Sequence, residues 1–275
     1  MKIDIAEQPG VGLDGQPRPS EDVVVPLPNA VVLLDGATST RPGRGGGWYA
    51  RVLAGHLVAR LTGYPTMDLA DLLAAAIHAV AREHDLVPGD SPSSTVALVR
   101  WSAETVEGLV LADSPVVAVT GGGTTLLADH RLAALPRRGG GYRGRLRAGA
   151  GYGEEHVAAL RAAAAQVGEL RNTEGGFWVA EADPDAAYQA VRASWPRAAT
   201  SLVLLASDGV SCGVDDYGLF DWPAVVELVR TRGPQAVLDE VRAAEESDRD
   251  GRRWPRPKVH DDQALAVVDL TPDQG

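Results

Sequence analysis

The chain carries one cysteine, Cys212, which excludes an internal disulfide and any cluster of thiolate metal ligands, and which agrees with a reducing compartment. Any bound metal must therefore be held by oxygen or imidazole. No apolar run approaches the roughly 18 residues that cross a bilayer, and Met1-Lys-Ile-Asp-Ile lacks the charged-then-apolar layout of a secretory leader. The expectation is a cytoplasmic protein without a membrane partner. Excess positive charge is missing as well: 26 Lys and Arg face 37 Asp and Glu, a formal net charge of -11. That balance opposes general binding to nucleic acid and suits hard cations. There is no fixed-period repeat, no convincing linker and no Gly-Lys-Ser/Thr phosphate loop. With 275 residues, 45% of them hydrophobic, the chain can bury roughly three quarters of its unfolded surface, and one domain over residues 1 to 275, monomeric, is expected.

What is present is a set of apolar runs that stop at aspartate. Ala30-Val-Val-Leu-Leu ends at Asp35-Gly36, Leu109-Val-Leu-Ala ends at Asp113-Ser114, and Ser201 to Ser207 ends at Asp208-Gly209, while His260-Asp261-Asp262-Gln263 opens the last run, Ala264 to Val268. An isolated buried charge costs several kcal/mol unless it is paired or coordinates a metal. Carboxylates gathered at strand ends therefore have a use other than packing.

In chain order, Lys2 to Ala6 reads as an edge strand, and Ser20-Glu21-Asp22 leads into Val23-Val-Val. A glycine-rich loop, Ala37 to Gly47, precedes two amphipathic helices, one carrying Tyr49, Leu53, Leu57 and Leu61, the other Leu69, Leu73, Ile77 and Val80 with Asp68 as N-cap. A β-meander is predicted from Ser94 to Ala128. Residues 129 to 153, rich in arginine and glycine, read as an exposed, solvated flap. Then come a helix over Glu154 to Leu170, a strand over Phe177 to Ala182, a helix over Pro184 to Trp195, a buried strand over Leu202 to Ala206, and two helices opened by Pro223 and Pro234. A basic loop, Arg249 to Lys258, precedes the last strand. This order is not a regular βαβ alternation, and two sheets flanked by helix pairs fit it better.

Taken together, Ser-Glu21-Asp22, Asp35-Gly36, Ser93-Ser-Thr, Ala-Asp113-Ser, Ser-Asp208-Gly and Asp261-Asp262-Gln resemble, in that order and over nearly the whole chain, the protein phosphatase 2C family of metal-dependent Ser/Thr phosphatases. The resemblance implies an α+β fold, a four-layer α-β-β-α sandwich of two mostly antiparallel sheets. It implies two divalent ions, Mn²⁺ or Mg²⁺, with Asp35 bridging them, Asp208 and Asp262 completing one, the Gly36 carbonyl on the other, and Glu21 and Asp22 acting through water. The implied substrate is a phosphoprotein or another phosphomonoester, attacked by water activated between the two ions. Three departures stand out. The family's phosphate-gripping arginine falls on Pro17, with Arg18 one residue closer; the histidine some relatives place after the first Asp-Gly is Ala37, which leaves leaving-group protonation to water; and of two aspartates used for a third ion, Asp113 is present but Cys212 replaces the other, leaving Asp215 or Asp216 as substitutes or the site weak.

Two rival readings stand beside this one. Gly209-Val-Ser211-Cys-Gly213 matches a serine-hydrolase nucleophile elbow, with Asp239 and His260 following in order, although Val214-Asp-Asp-Tyr-Gly is expected to interrupt the helix such an elbow must enter. Alternatively, the departures leave a phosphatase-like binding module with weak or no turnover. Among the histidines, His56 reads as a core residue on an apolar helix face, and His260 is the one beside the proposed chemistry.

Overall fold

The computed structural model describes residues 1–38, 43–136 and 141–271. Ser39 of the first Asp-Gly loop, and Arg137 and Arg138 of the arginine-glycine segment, lie outside the described residues. Among the described residues ten strands form two antiparallel sheets of five. The first sheet holds β1 (Lys2–Gln8), β6 (Val116–Thr120), β7 (Gly123–Leu127), β9 (Thr200–Ala206) and β10 (Gln263–Asp269), in the order β1-β10-β9-β6-β7. The second holds β2 (Asp22–Leu27), β3 (Ala30–Asp35), β4 (Val96–Trp101), β5 (Thr105–Leu111) and β8 (Val191–Pro196), in the order β2-β3-β4-β5-β8.

Side chains alternate across a strand, and the apolar run of β3 is continuous because both of its faces are covered. Val31 and Leu33 point between the sheets, where they pack with Val99, Val203, Leu205, Ala264 and Ala266. Val32 and Leu34 point the other way, onto helices α1 (Gly46–Gly63) and α2 (Leu69–Glu83) through Leu53, Leu57, Leu73 and Ile77. On the far side, Val117, Leu204, Leu265 and Val267 of the first sheet pack on α7 (Trp222–Arg232) and α8 (Pro234–Ser247) through Trp222, Val225, Val237 and Leu238. The layers thus run helix, sheet, sheet, helix, as expected.

The expected N-cap is in place, with the Asp68 carboxylate accepting from the Ala70 amide at 2.9 Å, and Pro223 and Pro234 sit in the first turns of α7 and α8, where a missing N–H costs nothing. Four expectations need correction. The meander is divided, β4 and β5 belonging to one sheet and β6 and β7 to the other; the chain changes sheet after Ala112, whose φ of 66° is a conformation L-residues seldom adopt. Residues Pro184–Gln189 make only a short 3₁₀ helix, and Val191–Pro196 is strand β8, paired with β5 in full register: its alternation of partly buried and exposed residues is a strand's period. Phe177 to Ala182 is no strand and makes only isolated bridges, at Phe177 and Ala180. Finally, residues 129 to 153 are not simply a solvated flap. They include α3 (Arg131–Ala134) and α4 (Tyr142–Arg147), with Leu146 fully buried, Asp129 5% exposed, and contacts between α4 and the long helix α5 (Glu154–Gly168).

Where β3 gives way to α1 the backbones meet without room for a side chain. A Cβ on Gly36 would fall 2.3 Å from the Gly46 carbonyl carbon and 2.4 Å from the Gly47 nitrogen, both fixed backbone atoms. Gly36 and Gly46 thus serve close approach of one backbone segment to another, whereas Gly43 stands in open space. Gly36→Ala is expected to lose about 2 kcal/mol or more of stability through forced overpacking, whereas Gly55→Ala, on an open face of α1, is expected to be neutral or to gain up to about 1 kcal/mol of helix propensity. Denaturant midpoints of the two variants check this; equal midpoints would remove the steric account of the corner.

Candidate metal centre

Four strand ends meet at one end of the two-sheet stack. Asp22 opens β2 and Asp35 closes β3, and the antiparallel register sets these two directly opposite each other. Asp208 opens α6 (Asp208–Asp215) immediately after β9, and Asp262 precedes β10, which pairs with β9. Backbone contacts fix each corner. The Ser94 hydroxyl donates to the Asp35 carbonyl at 2.9 Å, the Thr95 hydroxyl accepts from the Asp35 amide at 3.1 Å, and the Gly36 amide donates to the Glu21 carbonyl at 3.2 Å. The Ser93-Ser94-Thr95 motif therefore clamps the first Asp-Gly corner. At the other side, Ser207 accepts from the Ala264 amide at 2.9 Å and Gln263 donates to the Gly209 carbonyl at 3.1 Å. A Cβ on Gly209 would lie 1.9 Å from the Asp262 carbonyl oxygen, so the Ser-Asp-Gly and Asp-Asp-Gln motifs interlock only with glycine at that place.

The carboxylates so gathered destabilise one another's charge. Asp22 is 6% exposed and neither of its oxygens has a hydrogen-bond partner. Burial first, then Asp261 and Asp262, push its carboxyl up to about 7; Ser207 and Asp35 lie near enough to offset part of this, without hydrogen-bond geometry. Asp35 and Asp208, although not wholly hidden from solvent, are held well above the usual carboxylate range by burial, and then by each other's neighbourhood: Asp208 and Asp22 act on Asp35, and Asp261 and Asp113 act on Asp208. Asp113, on the link between β5 and β6, is raised by burial and by Asp129 and Asp261. The sequence-predicted aspartates are thus one electrostatic cluster.

Two cations answer part of it. Arg18 Nη2 lies 2.6 Å from Glu21 Oε2 and 3.1 Å from Asp262 Oδ2, and it donates to the Thr38 hydroxyl at 3.3 Å. Thr38 in turn donates to Glu21 Oε2 at 2.9 Å. Lys258 Nζ lies 2.5 Å from Asp261 Oδ1, 3.5 Å from Asp262 Oδ2 and 3.2 Å from Thr38 Oγ1. Burial opposes the lysine's charge, but Asp261 and Asp262 override it and raise its pKa. Asp261, Thr38 and Lys258 were not among the residues expected to form the site. Lys258 had a legible signal, being one of only two lysines in the chain and standing four residues before Asp262.

Among the described residues no three His, Cys, Asp or Glu side chains are closed around a point as a metal cluster; Glu21, Asp261 and Asp262 are turned to Arg18 and Lys258 instead. The donor chemistry nonetheless fits a hard divalent ion. The donors are all oxygen, Asp22 holds two buried oxygens without partners, and among the described residues no cation pairs with Asp22, Asp35 or Asp208 to let them ionise freely.

A third ion finds less. Asp113 is near Asp208, but Cys212, one turn into α6, has its thiol pushed well up by burial, and then by Glu245 and Asp208, which disfavours the thiolate a ligand must be. Asp215 and Asp216 are exposed at the far end of α6, about 10 Å along the axis from Asp208. The serine-hydrolase constellation is not assembled. The helix interruption expected after Gly213 is absent, since α6 runs from Asp208 to Asp215. Yet β9 has antiparallel neighbours on both sides, Ser211 is buried in the helix, His260 Nδ1 meets buried Glu245 at 3.0 Å, and Asp239 is exposed and bonded to Gln235. His56, expected in the core, is partly exposed and meets Glu83 at 3.1 Å.

From Asp113, Asp208 and Asp261 a cavity of about 1360 Å³ opens between α6 and the α4–α5 arm, past Leu126, Arg143 and Ala163. This arm is fastened at its two ends, by His156 against Tyr142 and Tyr152 with Nε2 2.8 Å from the Pro257 carbonyl, and by Val167 on Phe177 and Val179.

By sequence alone, no family model and no curated protein matches the chain. Solved structures do match. The catalytic domain of the serine/threonine protein phosphatase PstP, solved in complex with two manganese ions, covers 98% of this chain and 97% of its own at 14% identity, with a TM-score of 0.54. The PPM Ser-Thr phosphatase MsPP from Mycobacterium smegmatis, in complex with cacodylate, covers 98% and 99% at 14% identity and a TM-score of 0.57. The serine/threonine phosphatase Stp1 from Staphylococcus aureus covers 98% and 95% at 12% identity and a TM-score of 0.57. With its two antiparallel sheets between helix pairs matched along the whole chain, this protein has the fold of the PPM serine/threonine phosphatases.

Proposed function

We propose that the chain is a Mn²⁺- or Mg²⁺-dependent phosphatase that hydrolyses phosphoserine or phosphothreonine in proteins. The observation that carries this reading is the set of buried or half-buried aspartates gathered at strand ends, Asp22, Asp35 and Asp208, whose ionisation is suppressed by burial and then by neighbouring carboxylates. Asp35, Asp208, Asp262 and the Gly36 carbonyl would hold the ions, with Glu21 and Asp22 acting through water and Asp113 available to a weak third. Bound there, a pair of divalent ions supplies an activated water and a polarised phosphoryl group. The chain's own residues do the rest: the serine and threonine clamps hold the main-chain amide and carbonyl of Asp35 and so fix the corner that bears its carboxylate, Arg18 presents a partly exposed guanidinium for the phosphate, and the cavity receives the remainder of the substrate. The manganese ions in PstP and the phosphatase activity in the names of PstP, MsPP and Stp1 support the reading.

The deciding assay offers a phosphoserine or phosphothreonine peptide and an aryl phosphate with Mn²⁺, Mg²⁺ or chelator. Hydrolysis is expected with metal and none with chelator. Asp208→Asn is expected to lower the rate on the order of 10² or more, while Ser211→Ala keeps most of it. Turnover in chelator, or its loss in Ser211→Ala with metal binding intact, overturns the proposal; metal binding without turnover of either substrate leaves a binding module.

Arg18→Ala is expected to raise KM roughly tenfold or more, since it removes a charge-assisted contact worth about 1.5 to 3 kcal/mol. Unchanged kinetics would reassign the phosphate contact.

Asp22 adds a pH dependence. Its folded-state carboxyl is raised from 3.8 to about 7, so its contribution to stability is present in full below the unfolded value and is lost as pH rises through about 7. In chelator, Asp22→Asn is therefore expected to be more stable than the parent at pH 8 by on the order of 4 kcal/mol, with the difference fading toward pH 4. A difference independent of pH, measured by denaturant unfolding, would show that Asp22 ionises freely.

A further inference from the structure

The acidic centre is divided by its countercharges. On one side, among the described residues, Asp22, Asp35, Asp208 and Asp113 have no cation paired with them. On the other, Glu21, Asp261 and Asp262 share Arg18 and Lys258. Both cations reach the same Asp262 Oδ2, at 3.1 and 3.5 Å, and the same Thr38 hydroxyl, at 3.3 and 3.2 Å. They differ in freedom. The Arg18 side chain is 22% exposed and can turn toward solvent, whereas Lys258 is 3% exposed.

Its loop is also pinned. Buried Arg256, two residues earlier, donates to the carbonyls of Glu245, Asp248 and Val259 at 2.9 to 3.0 Å. In a chain of 26 Lys and Arg of which only Lys2 and Lys258 are lysine, this position holds the compact, strongly hydrated point charge, not the planar fork. A buried ammonium in van der Waals contact with two carboxylates is placed as a small inorganic cation would be.

On the metal-centre reading above, we infer that Lys258 is a resident cation that competes with one of the two divalent ions at Asp261 and Asp262, so that the ions bind in two unequal steps. The first ion goes to the side without countercharge. The second must share Asp262 with an ammonium that cannot leave, and repulsion between them at a few ångströms in a partly buried site weakens it. Asp261 keeps the ammonium from being expelled altogether.

The test is calorimetric titration of the full chain with Mn²⁺ and with Mg²⁺. The parent is expected to bind in two steps at least tenfold apart. Lys258→Met keeps the apolar stem and removes the charge; it is expected to tighten the weaker step tenfold or more and leave the tighter step nearly unchanged. Because that variant strands Asp261, the pair Lys258→Met with Asp261→Asn removes both charges together, and the same tightening is expected. Lys258→Arg, which keeps a cation, should retain the weak step.

Since the chain has two lysines, ¹⁵N-lysine labelling adds a readout on the parent protein: the Lys258 Nζ resonance is expected to move in the second Mg²⁺ step and the Lys2 resonance in neither. Two equivalent, independent sites in the parent, a weaker step unchanged or weakened in the folded Met variants, or a Lys258 resonance unmoved through both steps overturns the inference. Absence of any Mn²⁺ or Mg²⁺ binding fails the metal-centre reading itself and is thereby distinguished from failure of the lysine's role.

Discussion

The register that puts Asp22 opposite Asp35 sets two carboxylates against each other across a strand pair, an arrangement that is destabilising without a cation. Neither can be moved alone. The β2–β3 ladder runs through six residue pairs from Asp22–Asp35 to Leu27–Ala30, and a slip of one residue would turn Val32 and Leu34 out of the helix-facing core and Val31 and Leu33 out of the layer between sheets. The apolar run thus fixes where the charge must sit. Stacking of β3 on β10 and of β4 on β9, with Val31, Leu33, Val99, Val203, Leu205, Ala264 and Ala266 in one buried cluster, then brings Asp208 and Asp262 to the same end. The core and the acidic centre are consequences of one alignment.

That alignment explains why the surroundings are built so tightly. Carboxylates that repel one another will spread if their backbones can give way, and the contacts that prevent this are short-range and local. Gly36 lies against the start of α1, Gly209 against the Asp262 carbonyl, and Ser94, Thr95 and Ser207 hold main-chain groups, not ligands. The side of the cluster that has its own cations is partly neutralised, and the other side keeps its charge suppressed by taking up protons. Stability is given up there, and on the proposed reading a bound cation would restore it.

Much of this was legible in the sequence, for physical reasons that can be named. Strand ends carrying Asp35 and Asp208 announce themselves because an apolar run ending in a carboxylate has no packing explanation, and α1, α2, α7 and α8 because their apolar spacing or their capping residues leave few alternatives. Order of motifs along the chain was enough for the layered architecture. What was not legible was decided in three dimensions. The crossing of the chain between sheets hangs on the single left-handed residue Ala112, which no composition signals. Val191–Pro196 has a strand's alternation but follows a proline-opened turn that mimics a helix start. Asp261 and Lys258 become part of the centre only because β10 lies beside β9, and their nearness to Asp262 in sequence does not say which way either points.

The Gly-x-Ser-x-Gly segment shows how far a local pattern can go before topology overrules it. Here a buried strand does turn directly into a helix at Asp208, as a nucleophile elbow requires. In a hydrolase of that kind the serine stands at the turn, above a parallel sheet whose neighbouring loops supply the base and the oxyanion donors. In this chain the residue at the turn is Asp208. Ser211 comes a turn later, buried in α6, and the strands on either side of β9 run the opposite way, so the neighbouring corners supply Asp262 from one side and the Asp113 link from the other. Carboxylates of both flanking connections, Asp261 and Asp113, act on Asp208, and buried Ser211 has neither the exposed turn nor the parallel sheet that such a nucleophile needs. The same strand-to-helix turn that would sharpen a hydroxyl in one topology gathers carboxylates in the other, the donors that the proposed metal-dependent reading requires.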